Sequence, residues 1–167
     1  YDIRVEAIVP GGNLDVIAAN LMFSGENNYD VLAIDTVGQE VEALVVDNPT
    51  TAVTAGNARV QVVHAAPNAP TVDIYVTAPG DDLTGAQPLA TVEFRQFTGQ
   101  VEVANGDYQI RITPSGALDV VFDSGTVALG DGADLLIMAT QNVATGTSPV
   151  TLLVADGTSS FKIYDVN

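Results

Sequence analysis

Apolar residues recur at close to every second position in short blocks along this chain: Val60 and Val62; Val72, Ile74 and Val76; Leu89, Val92 and Phe94; Val101 and Val103; Tyr108, Ile110 and Ile112; Leu118, Val120 and Phe122. Clusters of Gly, Pro, Asn and Asp separate the blocks, so the pattern predicts half-buried strands joined by turns, with helix nearly absent. Two blocks, Leu135–Ala139 and Leu152–Ala155, are apolar throughout and are expected to be central strands covered on both faces. Turns are predicted where the local chemistry favours them. Asn105-Gly106 suits the positive-φ conformation of a tight hairpin, Pro114-Ser115-Gly116 and Val9-Pro10-Gly11-Gly12 join matching strand pairs, and Asp131-Gly132 does likewise. Strands about 8 to 14 residues apart predict an all-β fold: an antiparallel β-sandwich, immunoglobulin-like or transthyretin-like, with a closed barrel as runner-up.

The pattern also repeats itself. Tyr1-Asp2-Ile3-Arg4-Val5 returns as Tyr108-Gln109-Ile110-Arg111-Ile112, and Gly12-Asn13-Leu14-Asp15-Val16 returns as Gly116-Ala117-Leu118-Asp119-Val120. Val41–Asp47 is echoed by Val150–Asp156, and Arg59–His64 by Ser160–Asp165. The period is about a hundred residues, a domain-sized spacing that predicts tandem modules. Residues 1–57 therefore read as the C-terminal half of a repeat module, and residues 58–167 as a complete module plus a C-terminal strand, Phe161–Val166, that resembles the opening strand of a further unit. A half module lacks its front-half partner strands. Its ladder edges are expected to be covered by packing on the whole unit, by exchange or augmentation with another copy, or by upstream chain.

Composition narrows the partners. With 21 acidic against 5 basic residues the net charge is −16, which disfavours nucleic acid and anionic lipid. The acids are scattered singly, as a solubilising charge over strand faces and loops would be. There are no cysteines, hence no disulfide framework and no thiolate chemistry. No apolar run approaches the roughly 20 residues of a membrane helix, so this segment is not expected to insert in a membrane.

The densest signature is Val63-His64-Ala65-Ala66-Pro67-Asn68-Ala69-Pro70-Thr71-Val72-Asp73-Ile74-Tyr75-Val76. It resembles the bacterial family called domain of unknown function 4397, whose units open with a strand, a His-x-Ser/Ala-Pro-Asp/Asn-Ala-Pro turn and a Val-Asp-Ile/Val-Tyr-Val strand. Leu89–Phe94, Asn105–Ile110 and Leu152–Asp156 are similar to later segments of the same unit. The resemblance extends over residues 58–157, with residues 1–57 as a family back half. It implies an exported, extracytoplasmic protein, periplasmic, secreted or at the cell surface, in which modules stand in tandem. It implies no established activity.

Chemistry is sparse. His64 is the sole histidine and Asp73 follows it, but no Gly-x-Ser-x-Gly elbow completes a hydrolase triad. His64, Pro67, Asn68, Pro70 and Asp73 are expected to be structural, the ring of His64 bonding into a turn that the two prolines stiffen. Gly130-Asp131-Gly132-Ala133-Asp134 and Gly80-Asp81-Asp82 bring carboxylates close together, making Asp81, Asp82, Asp131 and Asp134 the metal candidates, with calcium the ion such oxygens would take. No other cofactor is expected. Tyr75, Phe94, Phe97, Tyr108 and Phe122 fall mostly on strand patterns and are expected to pack rather than to stack on sugars. The chain is thus expected to be no enzyme but a noncatalytic exported module with a structural, adhesive or binding role. A calcium- or glycan-binding module is the alternative, and a hydrolase the remote one. Expected partners are neighbouring modules, a homo-oligomer or exchanged strand, and a surface protein or glycan.

Overall fold

The computed structural model describes residues 1–35 and 40–167. The chain forms two compact units, Tyr1–Ala52 and Val53–Asn167. Among the described residues every element is a strand, and no sheet closes into a barrel. Among these residues no helix is long and apolar enough to cross a membrane.

The first unit holds β1 (Asp2–Val9), β2 (Gly12–Asn20), β3 (Asn27–Asp35) and β4 (Val41–Pro49), arranged as two separate hairpins. Pro10 and Gly11 make the predicted turn between β1 and β2. Val9 pairs with Gly12, and Gly11 takes φ 105°, which only glycine adopts at little cost. β3 and β4 pair in unbroken register from Asn27–Pro49 to Asp35–Val41. Burial is thin here. Ile17, Ile34 and Val46 are the buried apolar side chains among the described residues, whereas Ile8, Leu14 and Met22 are exposed.

The second unit holds nine strands. They are β5 (Asn57–Ala65), β6 (Val72–Thr77), β7 (Ala90–Val92), β8 (Val101–Ala104), β9 (Gly106–Pro114), β10 (Phe122–Leu129), β11 (Asp134–Gln141), β12 (Val150–Ala155) and β13 (Ser160–Ile163). They form a four-stranded sheet, β10-β9-β6-β7, and a five-stranded sheet, β13-β12-β11-β5-β8. One buried cluster takes side chains from both sheets, among them Val62, Ile74, Ile112, Phe122, Ile137 and Leu152. Leu136–Ala139 is buried without alternation, as expected of a strand covered on both faces, whereas Leu152–Ala155, expected to be the same, alternates, with Leu152 and Val154 buried and Leu153 and Ala155 half-buried.

Three further expectations give way. The fold is not wholly antiparallel, because β5 and β11 pair in parallel from Arg59–Asp134 to Ala65–Thr140. Parallel neighbours need a long crossover, and here the whole four-stranded sheet lies in the chain between them. Asn105-Gly106 turns no hairpin, since β8 pairs with β5 while β9 lies in the other sheet. Asp131-Gly132 likewise links sheets, from β10 to β11. A glycine with positive φ, such as Gly132 at 75°, serves a sheet-to-sheet corner as well as a hairpin.

The margins of this unit are tied by irregular chain. Residues 95–98 continue the β8 side of β5: Arg95 N donates to His64 O at 2.8 Å, and Thr98 N donates to Val62 O at 2.9 Å. At the opposite margin β13 pairs with β12, and the residues beyond it bind the edge of β10. Val166 N donates to Asp123 O at 3.0 Å, and Asp123 N donates to an Asp165 carboxylate oxygen at 2.8 Å. The C-terminal segment thereby straps one sheet to the other.

Candidate functional site

His64 is the penultimate residue of β5, with its side chain buried. Its Nε2 lies 3.0 Å from Pro70 O, and its Nδ1 accepts from Ala66 N at 3.3 Å. A carbonyl can only accept and an amide N–H can only donate, so these partners select the Nε2–H tautomer. The ring closes the loop that carries Pro67 and Asn68, and Ala69 N donates to Ala66 O at 3.1 Å inside it. Phe94 meets the ring edge-on at 6.2 Å.

Asp73 lies on β6, on the face of the four-stranded sheet away from the core. Thr91 Oγ1 on β7 donates to it, and Gly116 N, beyond β9, donates at 2.8 Å. The Thr91 hydroxyl, then the Gly116 amide, hold its pKa below the ordinary carboxylate value, and burial opposes them without prevailing. No hydrogen bond joins Asp73 to His64. The two residues staple different seams: His64 the β5–β6 loop, Asp73 the junction of β6, β7 and the turn after β9.

The same outer face holds residues whose importance alternation does not reveal. Tyr75 and Arg111 are register partners and both are buried, as is Thr113 beside Asp73. Polar positions of an alternating strand are normally wet. Here the loop 78–89 lies over them, with Leu83 buried and Gly80 N donating to Gln109 Oε1 at 2.8 Å. Arg111 donates to Thr77 Oγ1 at 2.7 Å, but its Nε and the Thr113 hydroxyl are buried with no hydrogen-bond partner. The available signal was a long loop carrying a lone leucine among Gly, Asp and Thr, which reads as a cover.

The metal candidates do not converge. Asp134 is engaged by Arg59, whose Nε donates at 2.9 Å and whose second nitrogen grips the other oxygen. That hydrogen-bonded carboxylate raises the Arg59 pKa against the opposing effect of burial. Asp131 accepts from Gly56 N at 2.7 Å. Asp82 accepts from Thr84 N at 2.8 Å, and this bond, ahead of the nearby Arg111 charge, lowers its pKa. Among the described residues no three His, Cys, Asp or Glu side chains gather as a metal site. Another heavily bonded carboxylate is Asp156, between β12 and β13. It accepts from the amides and hydroxyls of Thr158 and Ser159, which hold its pKa far below the usual range.

One open groove of about 560 Å³ runs between β7 and the segment 95–99. Thr91, Gln96, Phe97 and Thr98 contribute to its lining, and Phe97, expected to pack, is 37% exposed. Arg95 sits at its rim with φ 75°, in the third position of a turn closed by Gln96 N donating to Glu93 O at 2.9 Å. A side chain in that region costs roughly 1–2 kcal/mol relative to glycine. Its guanidinium lies 5.3 Å from the centre of the Phe94 ring.

The family model described as Domain of unknown function (DUF4397) matches residues 1–75. Over these residues the chain is similar to the DUF4397 family. The DUF4397 match takes in both hairpins, β5 and the signature as far as Tyr75, and so crosses the boundary between the two units. Of the span 58–157 expected to resemble the family, it reaches only this opening part. No curated protein matches the chain.

Proposed function

We propose that this chain is a noncatalytic module of an exported bacterial protein, an immunoglobulin-like or transthyretin-like β-sandwich used in tandem as a structural or adhesive segment outside the cytoplasm. The observation that carries this reading is the state of the signature. Both ring nitrogens of His64 are engaged by backbone groups, and the Asp73 carboxylate is held by Thr91 and Gly116, so neither is poised to activate a nucleophile. The test is a panel of ester, peptide and glycoside substrates with the wild type and His64→Ala. The expected result is no turnover by either, and a loss of about 3 kcal/mol of stability in the variant from the emptied site and orphaned backbone groups. Turnover by the wild type that vanishes in a folded His64→Ala protein overturns the reading. Export is checked by protease accessibility on intact cells.

A binding role is the second reading, favoured by the groove of about 560 Å³ with exposed Phe97 among hydroxyl and amide side chains. A glycan array, with and without calcium, separates the two. Binding that Phe97→Ala abolishes makes the module a receptor, and silence leaves the structural role.

A further inference from the structure

We propose that the free edge of β1 is a docking site for an extended segment built like β6, with a basic residue opposite Glu6. The inference stands whether or not the protein is a catalyst. It begins from the repeat: Tyr1-Asp2-Ile3-Arg4-Val5 corresponds to Tyr108-Gln109-Ile110-Arg111-Ile112, and β1–β2 and β9–β10 are both antiparallel hairpins. In the second unit the other edge of β9 carries β6, register-paired as Thr77–Gln109, Tyr75–Arg111 and Asp73–Thr113. Among the described residues the corresponding edge of β1 carries no strand.

Hydrogen-bond parity shows which groups await a partner. Tyr1 and Leu21 exchange both bonds, Leu21 N to Tyr1 O at 2.8 Å and the terminal amine of Tyr1 to Leu21 O at 2.6 Å. In an antiparallel ladder the bonding direction alternates, so Ile3 continues toward β2 while the backbone groups of Asp2 and Arg4 point to the open edge. β9 follows the same parity. Val121 N donates to Ile112 O at 2.9 Å on the β10 side, which leaves Gln109 and Arg111 to bond β6. The side chains agree: Ile110 and Ile112 are buried under the second sheet, whereas Ile3 and Val5 are half-buried.

The occupant's chemistry follows from superposing one pairing on the other. Apolar residues at alternate positions would extend the Ile3 and Val5 face. On the opposite face a threonine would meet Asp2 and a tyrosine Arg4, but the aspartate of a literal β6 copy would meet Glu6. Like charges directly opposite repel. With a net charge of −16 behind it, the edge selects a strand carrying Lys or Arg at that position.

The test adds synthetic peptides to the chain of residues 1–167 and reads amide hydrogen exchange. The probe peptide is the sequence of residues 70–79 with Asp73→Lys. Controls are the unmodified sequence and the Lys peptide N-methylated at the residue corresponding to Tyr75. The expected result is at least tenfold slower exchange at Asp2 and Arg4 with saturating Lys peptide, several-fold weaker binding of the Asp peptide, and no effect of the methylated one. Three outcomes overturn the proposal: unchanged exchange at millimolar peptide, equal protection by the methylated peptide, or protection without peptide that tracks a dimer in sedimentation, which would assign the edge to a second copy of this chain.

Discussion

Tyr1–Val5 and Tyr108–Ile112 have nearly the same residues in the same order, and each opens an antiparallel hairpin, but their surroundings differ. In the second unit β9 lies between β10 and β6 beneath a second sheet, with Ile110 at 4% and Ile112 at 1% exposure. In the first, β1 pairs with β2 alone among the described residues, and Ile3 and Val5 are only half-buried. Local sequence specifies the hairpin in both places. What it cannot specify is the value of its apolar face, which depends on whether a third strand and a facing sheet exclude water from it.

The largest expected effect comes from trimming the same apolar position in each hairpin. Ile112→Ala removes buried methylenes and leaves a cavity, and should cost about 3 kcal/mol. Val5→Ala, at the corresponding half-wet position, should cost less than about 1 kcal/mol. Equilibrium urea titrations of both variants measure the gap. Equal losses would mean that β1 is covered as well as β9, and the contrast between the hairpins would fail.

Two arginine–aspartate pairs give a smaller contrast. Arg59 and Asp134 pair where the arginine side chain is 5% exposed, whereas Arg4 and Asp15 pair with exposures of 62% and 46%. Asp134→Asn removes the carboxylate charge that the Arg59 guanidinium grips and should cost about 2 kcal/mol, less than a fully buried pair because water reaches the carboxylate. Asp15→Asn should cost under about 0.5 kcal/mol and lose even that in high salt. Thermal melts at low and high ionic strength make the comparison.

Acid should expose the next difference. The folded-state pKa of Asp73 is depressed by Thr91 and Gly116. A depressed carboxylate gives stability that is fully present above its unfolded value, near 4, and is lost as pH falls through the folded value. Among the described residues the first unit has no β6-like strand and so no counterpart. Stability of the wild type relative to Asp73→Asn should therefore be constant from pH 5 to 7 and shrink below about pH 4. A difference that stays flat to pH 2 would remove Asp73 from the acid response.

Much of this architecture is legible in the chain, and the exceptions have physical causes. Alternation finds β6, β9 and the uniformly apolar β11, because side-chain direction along a strand is a local property. Pro10-Gly11 is a hairpin turn as its residues predict, while Asn105-Gly106 is a sheet-to-sheet corner, since the same backbone angles serve both and the choice belongs to the partner strand. The parallel pairing of β5 with β11 is set by contacts about 75 residues apart, beyond any periodicity. At the candidate site, His64 bonds into its turn as its place in the signature suggests. Arg111 and Thr113 were hidden because alternation assigns them to solvent, and only the loop 78–89 overrules it.

Thr113 gives the smallest expected effect and the finest form of the comparison. Its counterpart in the first unit is Glu6, which is exposed, accepts from Asn13 at 2.8 Å and lies 3.1 Å from Arg4. A charge is tolerated there because water remains. Thr113 occupies the same ladder position under a cover, with a hydroxyl that is fully buried and has no hydrogen-bond partner. Leaving a buried hydroxyl unbonded costs about 1–3 kcal/mol, and Val matches Thr in shape without carrying it. Thr113→Val should therefore be neutral or stabilise by up to about 1 kcal/mol, against the usual expectation for changing a fully buried residue. Urea midpoints decide the sign. A clear loss would show that the hydroxyl finds a partner in solution, such as a water admitted when the loop 78–89 lifts, and that the cover over this face opens where the second unit otherwise looks most closed.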